Sequence, residues 1–352
     1  MKKEGVVMDK SFAAKIAPAF RGVTGAATVR FTEGAQEGRK ITGSDIEEVY
    51  ENLKSAADET KVYVEGVGTF EAVKSGKTGR CANKISIVTG SAQGFGFGIA
   101  SAMVAEGAYM VYCDLNIELA QQRADEANAK YGAGTAVAIK VDVSNEESVE
   151  NLINETVLAF GGLDVFVNNA GVVRSGPVEE LSLKDFTFVT NIDYIAYFTC
   201  VKYCVAPMKI EKKFAPGKMF DIIQINSKSG LEGSNKNSAY AGAKFGGIGL
   251  TQSFALELAP FGIKVNSICP GNFLNGPLWS DPEKGLFVQY FKAGKVPGAK
   301  SVEDVRAFYE AKVPLGRGCE TTDVNRAIYY LLEQEYETGQ ALPVTGGQVM
   351  LN

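Results

Sequence analysis

In the stretch INSKSGLEGSNKNSAYAGAK, residues 225–244, a hydroxyl, a phenol and an ammonium group fall at intervals that suit one shared site: Ser227, Tyr240 and Lys244. Tyr240 and Lys244 are four residues apart, so on a helix they project from one face. YxxxK alone says little, since a chain with 14 tyrosines is expected to hold about one such pair by chance. Weight comes from Ser227, which ends a strand-like run leading into that helix. The 352-residue chain has no histidine, the side chain most often used to move protons near neutral pH. A free tyrosine, with a pKa of ~10, is a poor substitute. A lysine ammonium about 4 Å away, at an effective dielectric of about 20, favours phenolate by about 4 kcal/mol, or roughly three pKa units. That brings Tyr240 toward working pH, where it can take a proton from an alcohol or return one to an alkoxide.

Composition narrows the alternatives. Without imidazole there is no Ser-His-Asp or Cys-His nucleophile, no HExxH metal site and no Cys/His zinc site; no metal is expected. The six cysteines (Cys81, Cys113, Cys200, Cys204, Cys269, Cys319) form no CxxC pair and read as free thiols of a reducing compartment, with Cys200 and Cys204 as buried neighbours on one helix. Lys2, Lys3, Glu4, Asp9, Lys10 and Lys15 interrupt any apolar run that could serve as a signal peptide. No segment approaches the ~18 apolar residues needed to span a bilayer. A cytoplasmic protein is expected. The net charge of -5 offers no basic face for nucleic acid. With 45% hydrophobic residues the chain can build a full core, and its length allows one large domain plus an appendage.

The elements that must position the set can be read from periodicity. Apolar, β-branched runs at 84–89, 109–114, 136–142, 164–168, 220–226, 263–269 and 341–345 read as strands. Between them lie helical patterns such as 146–160, where Val149, Ile153, Val157 and Phe160 mark one face. Such alternation predicts a doubly wound α/β domain, a parallel sheet covered on both faces. Residues 1–80 break the rhythm and are assigned to an appendage and linker, with 81–352 as the main domain. In the appendage, Ser44 and Glu47 read as a capping box before the stripe Ile46, Val49, Tyr50 and Leu53, and KVYVEGVGTF reads as strand-like. It is too small to bury much surface alone and is expected to pack on the main domain or on a partner subunit.

The first strand of the main domain runs into TGSAQGFGFGIA, with Gly90, Gly94 and Gly96 spaced TGxxxGxG. Glycines there let the chain turn sharply, admit a pyrophosphate against the backbone, and let the helix beginning near Phe95 pack close to the sheet. The helix amino terminus then offers free N–H groups to phosphates. Asp114 ends the second strand, where its carboxylate can accept hydrogen bonds from a ribose 2′-hydroxyl and repel a 2′-phosphate. The glycine loop carries no Arg or Lys and Leu115 follows the aspartate, so NAD is expected over NADP. Asp142, ending the third strand, is placed to meet the adenine.

Taken together these segments resemble the short-chain dehydrogenase/reductase family over about residues 84–352. The resemblance rests on TGxxxGxG at Thr89–Gly96, NNAG at 168–171, Asn191 in the following helix, Ser227 ahead of YxxxK, and Pro270-Gly271 after the sixth strand. It implies a Rossmann-type sheet of about seven strands and hydride transfer at nicotinamide C4. Ser227 would hydrogen-bond the substrate oxygen, Lys244 would also grip the nicotinamide ribose, and Asn191 would hold a water linking Lys244 to solvent. The resemblance extends the cofactor contacts to Gln93, Phe95, Val143, Asn169, Ala170, Gly171, Tyr240, Lys244, Pro270, Gly271 and Asn275. Asn275 stands where the family commonly has threonine, which puts that contact in doubt. Asn191 lies further from Ser227 than is usual in the family, and MKIEKKFAPGKMF, residues 208–220, reads as the surface insertion responsible. The family also implies a dimer or tetramer, with the helices beginning near Ser182 and Ser238 at the interface.

IIQINSKSG, NSAYAGAKFGGIGLTQS, KVPLGRGC and VTGGQVM resemble one branch of the family, which oxidises the phosphorylated hexitol sorbitol 6-phosphate to fructose 6-phosphate. The segment 274–312 would be a substrate lid. Arg174, Lys228, Lys236 and Arg317 are the cations that could meet a substrate phosphate. Competing readings are a free polyol, a hydroxysteroid or a 3-oxoacyl thioester as substrate, and a silent NAD-binding sensor or scaffold on the same fold. VYVEGVGTF and the linker after it resemble the junction in proteins that fuse a class II sugar-phosphate aldolase to such a dehydrogenase. Without histidine no zinc aldolase site is present.

Overall fold

The computed structural model describes residues 10–292 and 294–350; Lys2, Lys3, Glu4 and Asp9 lie outside the described residues. The chain begins with α1 (Lys10–Thr24), β1 (Thr28–Glu33), β2 (Arg39–Ile41), α2 (Ile46–Leu53), β3 (Lys61–Val64) and β4 (Gly68–Val73). The alternating part comes next, as β5 (Ile85–Thr89), α3 (Gly94–Ala105), β6 (Tyr109–Asp114), α4 (Ile117–Tyr131), β7 (Ala136–Lys140), α5 (Glu146–Phe160) and β8 (Val165–Asn168). Helix α6 (Leu183–Thr190) continues through a π turn (Asn191–Ile195) into α7 (Ala196–Phe214), succeeded by β9 (Phe220–Ile225), α8 (Ser238–Leu258) and β10 (Ile263–Pro270). Three short helices, α9 (Pro277–Ser280), α10 (Leu286–Lys292) and α11 (Val302–Ala311), precede α12 (Thr321–Glu333) and β11 (Ala341–Val344).

Strands β5 to β11 form one sheet in the order β11-β10-β9-β8-β5-β6-β7, and every pairing is parallel. All seven expected strands are present, each ending within two residues of its predicted bounds. Their composition explains the architecture: β5, β8, β9 and β10 are buried along their whole length, so each needs helices on both faces. The order reverses between β5 and β8, and the crevice outside the carboxyl ends of the strands at such a switch point is where ligands bind. Thr89, Asn168, Ile225 and Pro270 end their strands at that edge.

The appendage forms a second sheet, β1-β4-β3-β2, with β2 and β3 parallel and the other pairs antiparallel. The run read as strand-like is the β3–β4 hairpin. Helix α1 fastens this unit to the main domain: Phe12, Ile16 and Phe20 share one core with Val149, Ile153 and Val157 of α5 and with Tyr197, Cys200, Cys204 and Met208 of α7. Two local expectations are corrected here. The amino-terminal cap of α2 is Asp45, whose side chain accepts from Glu48 N–H at 3.0 Å, one residue beyond the Ser44/Glu47 box; Ser44 instead donates its N–H to Glu48 at 2.6 Å. Residues 208–220 are not a surface insertion: Met208 and Glu211 are buried in the last turns of α7, and Glu211 accepts from the buried Arg21 of α1 at 2.9 Å. Arg21 also pairs with Asp164 at 2.7 Å, and Lys218 reaches both carboxylates at 2.5 and 2.6 Å. Asp164 accepts Ile85 N–H at 2.7 Å, where β5 begins. The appendage is therefore anchored at the amino-terminal edge of the sheet, opposite the ligand crevice.

Candidate active site

The glycine loop is built for a close approach of backbone and ligand. Gly90 and Gly94 have φ of 66° and 63°, the left-handed region that glycine occupies without strain. At Gly96 a Cβ would stand 2.2 Å from Gly90 O and 2.6 Å from Asn169 Nδ2, so no side chain fits. Gln93, preceding α3, is extended and makes no side-chain cap, which leaves the first N–H groups of α3 available to an anion. The cradle thus fits a dinucleotide pyrophosphate. Thr89 Oγ1 accepts the N–H groups of Asn169 and Ala170 at 2.9 and 3.0 Å, while Asn169 Nδ2 returns a bond to Thr89 O at 2.8 Å. These bonds lock the ends of β5 and β8 together across the switch point.

Asp114 ends β6 with its carboxylate against the same loop, accepting Ala92 N–H at 3.2 Å and Asn116 N–H at 3.1 Å. No cation near it is evident in the sequence, yet Arg123 of α4 donates to Ala92 O at 3.3 Å, stacks over Phe97 at 4.2 Å and pairs with Glu126 at 3.0 Å. Asp142 accepts from Ser144 N–H and Oγ at 3.0 and 2.6 Å, and Val143 beside it is buried. Phe95 stacks on Phe273 at 4.3 Å, linking the glycine loop to the segment after β10. Gly271 N–H bonds Val344 O at 2.9 Å. Asn275 is engaged elsewhere: its amide donates to Glu320 at 2.5 Å and its oxygen accepts from Arg306 of α11.

Ser227 follows β9 in extended backbone, its Oγ accepting Ser229 N–H at 3.1 Å. Its own N–H donates to Asn226 Oδ1 at 2.8 Å, and Asn226 Nδ2 bonds Lys244 O at 2.9 Å and Gln224 Oε1 at 3.0 Å. Asn226 therefore rivets the end of β9 to the turn of α8 that carries Lys244. Lys244 is buried, with Nζ 5.3 Å from the Tyr240 ring centroid, 3.4 Å from Ile225 O and 3.3 Å from Asp193 Oδ2. Burial pulls the Lys244 ammonium down, but Asp193 and then Tyr240 outweigh it and hold it above the usual lysine value. Asn191 opens the π turn, where its carbonyl accepts Ala196 N–H. Asp193 and Arg123 carry no motif signal in the sequence, and the bracing roles of Thr89 and Asn226, which sit inside the quoted motifs, become visible only in the structure.

The four candidate phosphate cations are not all brought together. Lys236 lines a cavity of about 320 Å³ with Gly176, Ser234, Asn235 and Asn237, and its carbonyl accepts Gly176 N–H at 2.9 Å. Arg174, two residues before Gly176, stacks over Phe188 at 5.1 Å and lies 3.8 Å from Asp185. Lys228 begins the turn after Ser227. Arg317 grips Asp323 at 2.6 and 2.9 Å and lines a different cavity, with Thr345 and Gly346.

A parallel doubly wound sheet, a glycine cradle at its switch point, and a Ser-Tyr-Lys set at the same edge define a nicotinamide-dependent oxidoreductase of the short-chain class. The sequence pattern described as short chain dehydrogenase matches residues 84–282, and the chain belongs to that family. It is 38% identical over 271 residues to sorbitol-6-phosphate 2-dehydrogenase of Escherichia coli (strain K12), covering 76% of this chain and 99% of that protein. It is 32% identical over 274 residues to 3-alpha-(or 20-beta)-hydroxysteroid dehydrogenase of Mycobacterium tuberculosis (strain ATCC 25618 / H37Rv), covering 77% and 92%. The crystal structure of sorbitol-6-phosphate 2-dehydrogenase from Erwinia amylovora superposes with a TM-score of 0.70 at 38% identity, covering 76% of this chain and all of that one.

Proposed function

We propose that this chain oxidises a secondary alcohol, or reduces the matching ketone, with NAD, and that its substrate is a phosphorylated polyol of the sorbitol 6-phosphate type, exchanged with fructose 6-phosphate. The observation that supports the reaction class is the buried Lys244, with Nζ 5.3 Å from the Tyr240 ring centroid and its carbonyl tied through Asn226 to Ser227 at the carboxyl end of β9. Bound nicotinamide supplies or accepts the hydride. Ser227 Oγ holds the substrate oxygen, Tyr240 removes or returns its proton, Lys244 provides the positive charge beside the phenol and the ribose, and Asn191 connects Lys244 to solvent. Asp114 supports NAD, because its carboxylate suits a 2′-hydroxyl and repels a 2′-phosphate. Cofactor contacts are assigned to Gly90, Gln93, Gly94, Phe95, Gly96, Asp142, Val143, Asn169, Ala170, Gly171, Pro270 and Gly271. Asn275 would first have to leave Glu320 and Arg306.

Support for the polyol phosphate is the 38% identity to sorbitol-6-phosphate 2-dehydrogenase across 99% of that protein's length, together with Lys236 at a cavity lined also by Ser234, Asn235, Asn237 and Ser238. Lys236 with Arg174 or Lys228 would take the phosphate, whereas Arg317 is committed to Asp323. We read residues 1–80 as an appendage to the catalytic domain 81–352, the active form as a dimer or tetramer, and the six buried free thiols as fitting a reducing compartment such as the cytoplasm. The test is NADH formation across free and phosphorylated polyols. Two charge-assisted contacts at about 1.5 to 3 kcal/mol each should favour sorbitol 6-phosphate over sorbitol by at least about a hundredfold in kcat/KM. Equal rates would remove the phosphate from the assignment. Tyr240→Phe should cut turnover by about 10²–10⁴ while NADH still binds, and chelators should have no effect; an active Phe variant would sink the mechanism.

A further inference from the structure

The strongest unassigned feature of the site is a second buried charge. Asp193 lies in the π turn two residues after Asn191, with its side chain entirely buried. Its Oδ1 accepts Val172 N–H at 2.8 Å, in the loop that follows Asn168–Gly171. Its Oδ2 lies 3.3 Å from Lys244 Nζ, in an ion pair rather than an aligned hydrogen bond. A Cβ on Gly171 would come within 3.3 Å of that oxygen, so the carboxylate is wedged between the NNAG loop and the catalytic lysine. The π turn explains why it points there. One extra residue in a turn rotates the remainder of the helix by about 100° relative to a regular one, and such bulges concentrate at functional sites.

We infer that Asp193 is a positioning residue that keeps Lys244 charged and oriented, and that its negative charge tempers the field Lys244 exerts on Tyr240. This rests on the oxidoreductase reading above. A buried ammonium without a counter-charge is costly and tends to give up its proton; Asp193 prevents this, in line with the raised Lys244, while burial raises the Asp193 carboxyl against the pull of Lys244 and Val172 N–H, the cost of placing that charge inside. The other titratable groups facing the pair are Tyr240 on α8 and Cys269 on β10, whose thiol burial pushes up to about 11.

Asp193→Asn keeps the shape and an acceptor for Val172 while removing the charge. The alkaline limb of the pH profile of kcat/KM for alcohol oxidation should then move to lower pH, by about one unit. The alkaline limb moves because Lys244 loses its proton sooner. NADH binding, followed by fluorescence and independent of turnover, should weaken at a correspondingly lower pH, because Lys244 holds the ribose only while charged. Asp193→Ser removes charge and bulk together and serves if the Asn variant is poorly soluble. Unmoved pH profiles and unmoved NADH binding in a folded variant would overturn the inference, as would failure of both variants to fold, which would make Asp193 a purely structural residue. An active Tyr240→Phe protein would instead defeat the reaction assignment and leave the binding arm of this test readable.

Discussion

Arg21 donates to both carboxylate oxygens of Asp164, at 3.0 and 2.7 Å, and this fork joins the first helix to the sheet edge facing away from Ser227. Burial alone would raise the Asp164 carboxyl; Arg21 and then Lys218 outweigh it and hold the carboxyl well below its usual range. Glu211 moves the other way, raised by burial against the pull of the same cations; the fork geometry makes Asp164 the dominant partner of Arg21. Removing one member of a buried ionic cluster costs about 3–5 kcal/mol, because the remaining charges are stranded.

Arg21→Met should therefore lower the melting temperature strongly while leaving kcat nearly unchanged at a temperature where the variant is folded. The sign with pH is set by the depressed Asp164: its contribution is present above the unfolded carboxylate value of about 3.9 and is lost as pH falls. The stability gap between wild type and Arg21→Met should narrow as pH falls through about 4 and below in denaturant titrations. A gap that stays constant would place the cost elsewhere than in the ion pair.

The same cluster shows where sequence reading reached its limit. Strands such as Ile85–Thr89 and Ile263–Pro270 announce themselves because every residue must be compatible with burial on both faces, and the glycine spacing is dictated by contacts a few residues apart. Glu211 gave no such sign. In its own neighbourhood, among Lys209, Lys212 and Lys213, it looks like a solvated charge; its burial depends on Arg21, 190 residues earlier in the chain. Arg123 was missed for the same reason, since its approach to Ala92 depends on how α4 packs. Asp193 points inward only because the π turn changes the helical phase, and no local pattern of side chains encodes that rotation.

Asn226 should be as sensitive as the residues it supports. Asn226→Ala removes the bonds to Ser227 N–H, Lys244 O and Gln224, and stranding buried polar partners costs about 1–3 kcal/mol each. A shift of about 1 Å at the reacting groups can cost about 10²-fold, so kcat should fall by roughly that factor with KM for the cofactor little changed. A variant that loses stability but retains kcat would show that Asn226 braces the fold without setting the Ser227–Lys244 geometry.

Asp114→Ser should erode the proposed preference for NAD. The position of Arg123 sharpens this expectation: once the carboxylate is gone, the guanidinium held at Ala92 O is a cation beside the same loop that can meet a 2′-phosphate, although Glu126 competes for it. The ratio of kcat/KM for NAD to that for NADP should fall by about tenfold or more in Asp114→Ser, and Arg123→Ala in that background should reverse part of the gain with NADP. If the unmodified protein already prefers NADP at equal concentration, the assignment of Asp114 is wrong.

Self-association is expected through one helical face. Ile195 in the π turn, Phe198 on α7 and Phe245 on α8 are 47%, 50% and 47% exposed, an unusual amount of large apolar surface for neighbouring helices. Their proximity is fixed locally, because a Cβ on Gly246 would meet the Tyr194 ring at 2.7 Å. The described residues of the appendage do not cover this surface: α1 packs on α5 and the opposite side of α7, through Cys200, Cys204 and Met208. Exposed apolar clusters of this kind mark interaction sites, and in a symmetric dimer the same helices would meet their own copies. Light scattering should find a dimer or tetramer of the 37.6 kDa chain, and Phe245→Glu, which places a charge in the middle of the face, should shift it toward monomer. Because Phe245 adjoins Lys244, part of the activity should be lost with the assembly and recover as protein concentration rises. A wild-type protein that is monomeric at all concentrations would exclude this face as a self-association surface.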